Sequence, residues 1–177
     1  MSIKQKMVYC SVAAVLGTVA TLHPGELRTS QDGLKLLAGY ESCVRSSYTD
    51  TVGVPTCGIG HTKGVRMGML ASDATIAQWF VEDVLEAESC VNRYFGGQYM
   101  PQPVFDSVVS LVFNVGCYGT RWNSKRSAPT SIARYAVAGD WWGVCEHIAD
   151  FRYAGGKVSP GLENRRREEQ KHCIRYR

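Results

Sequence analysis

Only one stretch of this chain reads as β-structure. Between Val44 and Gly64, the strand formers Tyr48, Thr49, Thr51, Val52, Val54, Thr56 and Ile59 are punctuated by Gly53, Pro55, Gly58, Gly60 and Gly64. Outside it, apolar residues recur at helical spacing. A small β lobe followed by a helical lobe, an α+β fold, is therefore expected. The chain has 177 residues, enough for one well-cored domain and too few for two ordinary ones.

The helices announce themselves by period and by caps. Residues 23–30 read as a polar linker. Gln31–Tyr40 carries Leu34, Leu37 and Ala38 on one face and ends near Glu41. Ser72 can cap a helix running to about Tyr94, with Ile76, Phe80, Val84 and Val91 inward. Pro101 and Pro103 open a helix whose Val104, Val108, Leu111, Val112 and Val115 mark it as the central core helix. Further helices are expected over 130–138 after Pro129, over 141–152 after Asp140, and over 162–173 after Pro160-Gly161. The last is rich in Arg and Glu and reads as a solvated helix laced by ion pairs.

The first residues bear on the compartment. Lys4 and Lys6 precede sixteen uncharged residues, Met7 to Leu22, and His23-Pro24-Gly25 ends the run. A helix of that length spans roughly 24 Å, short of the ~30 Å hydrocarbon core. Ser11, Gly17, Thr18 and Thr21 dilute it further, so residues 7–22 read as a weak inner-membrane anchor within a signal-anchor segment, 1–24. The basic flank orients the chain N-in, C-out. The competing reading is a cleaved signal peptide, for which Thr18-Val19-Ala20 is a poor cleavage site. In either case the domain over 25–177 is exported. Seven cysteines, at 10, 43, 57, 90, 117, 145 and 173, suit an oxidising compartment, and their odd number leaves one thiol over.

Chemistry concentrates in Tyr40–Thr62. Glu41 ends a helix, and Asp50 and Thr56 lie in the hairpin after it. If the chain turns back at Cys43–Arg45, two carboxylates share one cleft with a hydroxyl between them. Glycoside hydrolysis needs such a set: one protonated acid to release the leaving oxygen, and one ionised carboxylate to hold a water or attack carbon. Glu41 follows the apolar Leu36–Tyr40 stretch and is expected to be the protonated partner, with Asp50, in a polar hairpin, the ionised one. Thr56 can hold water against Asp50. The spacing by itself is equally that of two solvated surface acids.

Other constellations are weaker. Gly58, Gly60 and Gly64 fit neither a dinucleotide fingerprint nor a Walker loop. Cys57-x-x-x-His61 and Cys145-x-His147 have no second ligand pair at finger spacing, so no metal and no other cofactor is expected. The Arg165-Arg166-Arg167 run near Trp141, Trp142 and Tyr153 is followed by Glu168 and Glu169, which argues against nucleic acid. A net charge of +4 suits an anionic polymer without selecting one.

Segment 40–62 resembles the T-even phage lysozyme family. Its signature is Glu, eight residues, Asp, five residues, Thr, then Gly-x-Gly-His; Glu41, Asp50, Thr56, Gly58, Gly60 and His61 match it in place, as do Tyr48 and Gly53. The likeness continues through Leu111–Cys117 and Gly161–Arg166. The N-terminus resembles the signal-anchor-release branch, in which a weak anchor holds a dormant enzyme on the periplasmic face until the membrane potential collapses. The resemblance implies a lysozyme-like fold and a monomeric inverting muramidase that cuts between N-acetylmuramic acid and N-acetylglucosamine, held at the host inner membrane and then released to the periplasm. It implies Glu41 as general acid and Asp50 and Thr56 as holders of water. Phe113, Asn114 and Ser131 become substrate-cleft residues. Arg165 is expected to pair with Glu41, and His61 with Asp83, as structural supports. The rival readings are a catalytically silent wall-binding protein on this fold and a lytic transglycosylase, which needs no water-holding Asp50.

Cys90–Cys117 and Cys145–Cys173 are expected as structural disulfides between neighbouring helices. In related signal-anchor-release lysozymes an anchor cysteine exchanges with a disulfide beside the catalytic glutamate. By that likeness Cys43–Cys57 distorts the dormant cleft, and Cys10 attacks Cys43 after release; the other reading is a static Cys43 bridge, with activation by refolding of the helix alone. This chain departs from those relatives in having Asp50 at the central catalytic position instead of cysteine.

Overall fold

The computed structural model describes residues 7–50 and 53–177. Lys4 and Lys6 of the basic flank, and the strand formers Thr51 and Val52, lie outside the described residues. The chain divides into two compact units, one formed by residues 1–27 and 38–83, the other by 28–37 and 84–177.

The first unit is organised on an antiparallel hairpin of β1 (Cys43–Thr49) and β2 (Pro55–Ile59), with Tyr48 opposite Thr56 and Val44 opposite Gly58. Between Val44 and Tyr48 the register shifts, the local bend a β-bulge produces. The N-terminal run corrects one expectation. It is not helical throughout 7–22: helix α1 covers only Val12–Leu22, capped by Ser11 Oγ, which accepts from the Ala14 amide at 3.3 Å. Ahead of it, the chain is extended along β1. Arg45 N–H donates to Val8 O at 2.6 Å, Cys10 N–H to Cys43 O at 3.0 Å, and Val8 N–H to Ser46 Oγ at 2.9 Å. β-Branched Val8 and aromatic Tyr9 suit an added edge strand, and β1 offers unpaired backbone for it. The Cys10–Cys43 disulfide, Cα atoms 5.1 Å apart, fixes this pairing covalently. In α1, Val15 and Val19 are buried, each worth about 1.5–3 kcal/mol in side-chain burial. Among the described residues no helix is long and apolar enough to cross a membrane.

Helix α2 (Gln31–Ala38) precedes the hairpin, and α3 (Asp73–Phe95) follows it. Ser72 Oγ accepts from the Thr75 amide at 3.1 Å, so the cap lies where its sequence placed it.

The second unit packs helices around α4 (Gln102–Val115), in which every residue from Val104 to Val112 is buried. Around it stand α5 (Cys117–Arg121), α6 (Ser131–Val137), α7 (Trp141–His147) and α8 (Pro160–Cys173). Asp140 caps α7 through the Gly143 amide at 2.9 Å. The helix expected to 152 stops at His147, and a 3-10 turn, Ile148–Phe151, continues the chain. Two further hairpins join the β region read from sequence: β3 (Trp122–Asn123) with β4 (Ala128–Pro129), and β5 (Tyr153–Ala154) with β6 (Lys157–Val158). Strands of two residues carry no readable alternation. Disulfides join Cys90 to Cys117 and Cys145 to Cys173.

Helix α8 overturns its reading as a solvated charged helix. Arg165, Arg166 and Glu169 are buried, with exposures of 4, 1 and 0%. Arg165 Nε lies 3.2 Å and Arg166 Nε 2.8 Å from the Glu169 carboxylate, which also accepts from Ser110 Oγ at 2.7 Å. Burial of two guanidinium groups is tolerable only because a carboxylate and a hydroxyl meet them. Arg167 and Glu168 alone of this run keep to the surface.

Candidate active site

In the first unit, Glu41 is placed by the tight turn after α2, where its amide donates to Ala38 O at 3.1 Å. Its Oε2 lies 3.6 Å from the point where Gly60 would carry a Cβ. Gly60 has φ +75°, a left-handed conformation that glycine adopts without strain, and it closes the end of β2 beneath the acid. Asp50 caps the opposite end of the hairpin. Its Oδ1 accepts from the Val54 amide at 2.7 Å, and its own amide donates to Val54 O at 3.0 Å. Both carboxylate residues are half-buried.

Tyr48 stands on β1, between the two acids in sequence. Burial raises its phenol above the ordinary 10.0, and the charges of Glu41, Asp50 and Cys57 raise it further. Tyr48 pairs across the hairpin with Thr56, so the two side chains share a face. Thr56 is buried, and its hydroxyl donates to Val54 O at 3.0 Å. A carboxylate at the turn entering the hairpin and, on the hairpin itself, a second carboxylate, a phenol and a buried hydroxyl make the inventory that acid-assisted hydrolysis with a positioned water requires.

His61 braces this unit from behind. It stacks on Trp79 with ring centroids 4.7 Å apart, its Nδ1 lies 2.8 Å from Asp83 and its Nε2 2.9 Å from Lys63 O. Cys57 sits directly after Thr56, fully buried as a free thiol whose Sγ donates to Arg45 O at 3.1 Å. Burial pushes that thiol above its ordinary 9.0 despite backbone hydrogen bonds from Gly58 and Ala71.

The remaining expected site residues lie in the second unit. Phe113 and Asn114 are on the last turn of α4, where Asn114 Oδ1 accepts from Arg166 Nη2 at 3.1 Å. Ser131 opens α6, its Oγ accepting from Arg134 Nη2 at 3.3 Å. Arg165 also reaches Ser110 O, at 3.4 Å. Sequence reasoning passed over Tyr48 as a site residue, although its place two positions before Asp50 on an alternating strand was a usable signal.

The phage lysozyme family profile matches residues 38–169. The chain belongs to the phage lysozyme family. This lysozyme is 36% identical to the SAR-endolysin of Escherichia phage P1 over 93% of its own length and 90% of that protein's. Its fold matches the crystal structure of the active form of P1 phage endolysin Lyz with a TM-score of 0.86, at 35% identity and 94% coverage of both chains. It also matches the secreted inactive form of that endolysin, with a TM-score of 0.60, at 32% identity over 83% of this chain and 96% of that one. The fold is thus lysozyme-like, and the enzyme is a lysozyme.

Proposed function

We propose that this lysozyme is a phage endolysin that hydrolyses the bond between N-acetylmuramic acid and N-acetylglucosamine, with inversion, and so lyses the host cell. Glu41 protonates the departing oxygen. Asp50 and Thr56 hold the water that attacks the anomeric carbon from the other side. The observation that carries this reading is the hairpin that sets Glu41 at the turn entering it and Asp50 at its far end, with Tyr48 opposite Thr56. Phe113, Asn114 and Ser131 bind the glycan. Analysis of the products tests the reaction directly. Hydrolysis leaves a reducing muramic end; an anhydro end from purified wall would mean transglycosylation and would reject the water-holding role of Asp50.

Export proceeds through residues 7–22, which tether the dormant enzyme to the inner membrane before its release to the periplasm. The structure described above then corresponds to the released, active state. Supporting this are the closer likeness to the active P1 form and the Cys10–Cys43 bridge with Cys57 free. In the dormant enzyme Cys43 is bonded to Cys57. After release, the Cys10 thiolate attacks Cys43 Sγ, the Cys43–Cys57 bond breaks, and Cys57 departs as a thiolate that takes up a proton. The exchange consumes no oxidant. Burial of the Cys57 thiol keeps it protonated and a poor nucleophile for the return step.

A further inference from the structure

The edge of β1 that faces away from β2 is covered by two separate pieces of chain. Val8–Cys10 pairs with the start of the strand, as described above. Met69–Ala71 continues along it: Ala71 N–H donates to Arg45 O and Ser47 N–H to Met69 O, both at 2.9 Å. Tyr9 and Leu70 bridge to Val44 and Ser46, two positions apart on β1. Beyond them, Met67 Sδ accepts from Thr49 Oγ1 at 3.6 Å, at the end of the strand. An apolar row therefore follows this edge from Val44 to Thr49, about 16 Å at the rise of a strand. Hydrogen bonds hold its backbone, but its side chains are uncovered. Tyr9 is 64%, Leu70 70% and Met67 52% exposed, and Met7 and Val8 are exposed ahead of Tyr9.

Scattered apolar side chains are ordinary on a protein surface, whereas a contiguous apolar patch marks an interaction site. The charge around this row selects its occupant. Residues 1–22 and 62–71, the two stretches that supply it, contain Lys4, Lys6, Lys63 and Arg66 and no acid. The rest of the same unit is acidic, with Glu26, Glu41, Asp50, Asp73, Glu82 and Asp83 against Arg45 alone. Lys63 and Arg66 are both exposed. Flexible apolar side chains, an aromatic ring with a polar tip, and cations without acids match the headgroup layer of an anionic bilayer.

We propose that the released lysozyme docks on the membrane it has left, laying the Tyr9–Leu70–Met67 edge into the surface of an anionic bilayer. This is peripheral binding by the folded enzyme, distinct from insertion of residues 7–22, and it keeps cleavage on the membrane-facing side of the wall. The proposal rests on the reading of the chain as a tethered enzyme that is released. Met67 and Leu70 are the residues to change, because they lie outside the anchor segment.

The test measures sedimentation of the purified, released enzyme with phosphatidylethanolamine vesicles, with and without phosphatidylglycerol. Wild type should bind the phosphatidylglycerol vesicles, more weakly as salt rises. Met67→Ser/Leu70→Ser should weaken that binding at least about tenfold, the loss of roughly two inserted methylene groups, with kcat on purified wall and the unfolding midpoint unchanged. Leu70→Ser alone should lose about fourfold. Val137→Ser/Ile174→Ser, which removes two exposed apolar side chains of the second unit, should bind as wild type does. Wild-type enzyme that stays in the supernatant with anionic vesicles would overturn the proposal. So would an equal loss in both double variants. An oligomer that forms without vesicles and that Met67→Ser/Leu70→Ser disperses would also overturn it, marking the edge as an interface between copies. Failure of the anchor reading is seen separately: alkaline carbonate would then extract the dormant wild-type enzyme from cell membranes, whatever the vesicles show.

Discussion

The Glu41 carboxylate hangs over Gly60, with Oε2 3.6 Å from the position a Cβ would take. Alanine fits that space, so Gly60→Ala should keep the acid in place and lose stability only through left-handed backbone strain, about 1–2 kcal/mol. Gly60→Leu should displace the acid and cut activity. Gly58 is tighter: at φ +65°, its Cβ would stand 3.1 Å from Ile76 Cγ2. Gly58→Ala should therefore cost more than Gly60→Ala, adding overpacking of about 1 kcal/mol or more. Urea unfolding of the variants, read beside wall clearance, checks the order. Equal stability of Gly58→Ala and wild type would refute the packing argument.

The redox account predicts one free thiol in the active enzyme. Under denaturing, non-reducing conditions a maleimide should label Cys57 alone, because the other six cysteines are bridged. Cys10→Ser should leave the enzyme inactive after release from the membrane, with Cys43–Cys57 intact by peptide mapping. Full lysis by Cys10→Ser would reject the switch and leave refolding of the N-terminal helix as the sole activator.

Acid stability should report on Asp106. Burial opposes its ionisation, but four hydrogen bonds outweigh it: His172 Nε2 at 3.2 Å, Ser30 Oγ at 2.5 Å, Ser30 N–H at 3.0 Å and Gln102 Nε2 at 2.7 Å. The carboxyl is held below its ordinary 3.8. A depressed folded pKa stabilises the protein above the unfolded value, and that stability is lost as pH falls through the folded one. Asp106→Asn should cost about 3–5 kcal/mol near neutrality. The gap to wild type should narrow as the pH drops from 3.8 downward. A gap that stays constant to pH 2 would show that the Asp106 carboxyl is not held below its ordinary value in the folded state.

Much of this was readable in the chain because the governing signals are local. Ser72 and Asp140 cap helices through their own neighbouring amides, and the apolar run of α4 can only be a core helix. Asp50 and Thr56 sit on one hairpin that strand formers and glycines mark out, and Glu41 stands at the helix end just before it. What escaped depends on long-range pairing. Val8–Cys10 becomes an edge strand because β1 is there to receive it, and an uncharged run shows no period to announce that. Arg165, Arg166 and Glu169 have the spacing of a solvated ion-pair ladder; only the Ser110 side of α4 makes them a buried cluster.

The central claim is that Glu41 supplies the proton while Asp50 holds the water. Initial rates on purified peptidoglycan for Glu41→Gln and Asp50→Asn, with thermal unfolding of each, test it most directly. Both should fall at least about 100-fold in kcat, the contribution expected of a positioned acid or base, with unfolding midpoints near wild type. Cleavage by Glu41→Gln at even a tenth of the wild-type rate, from a folded protein, would contradict it.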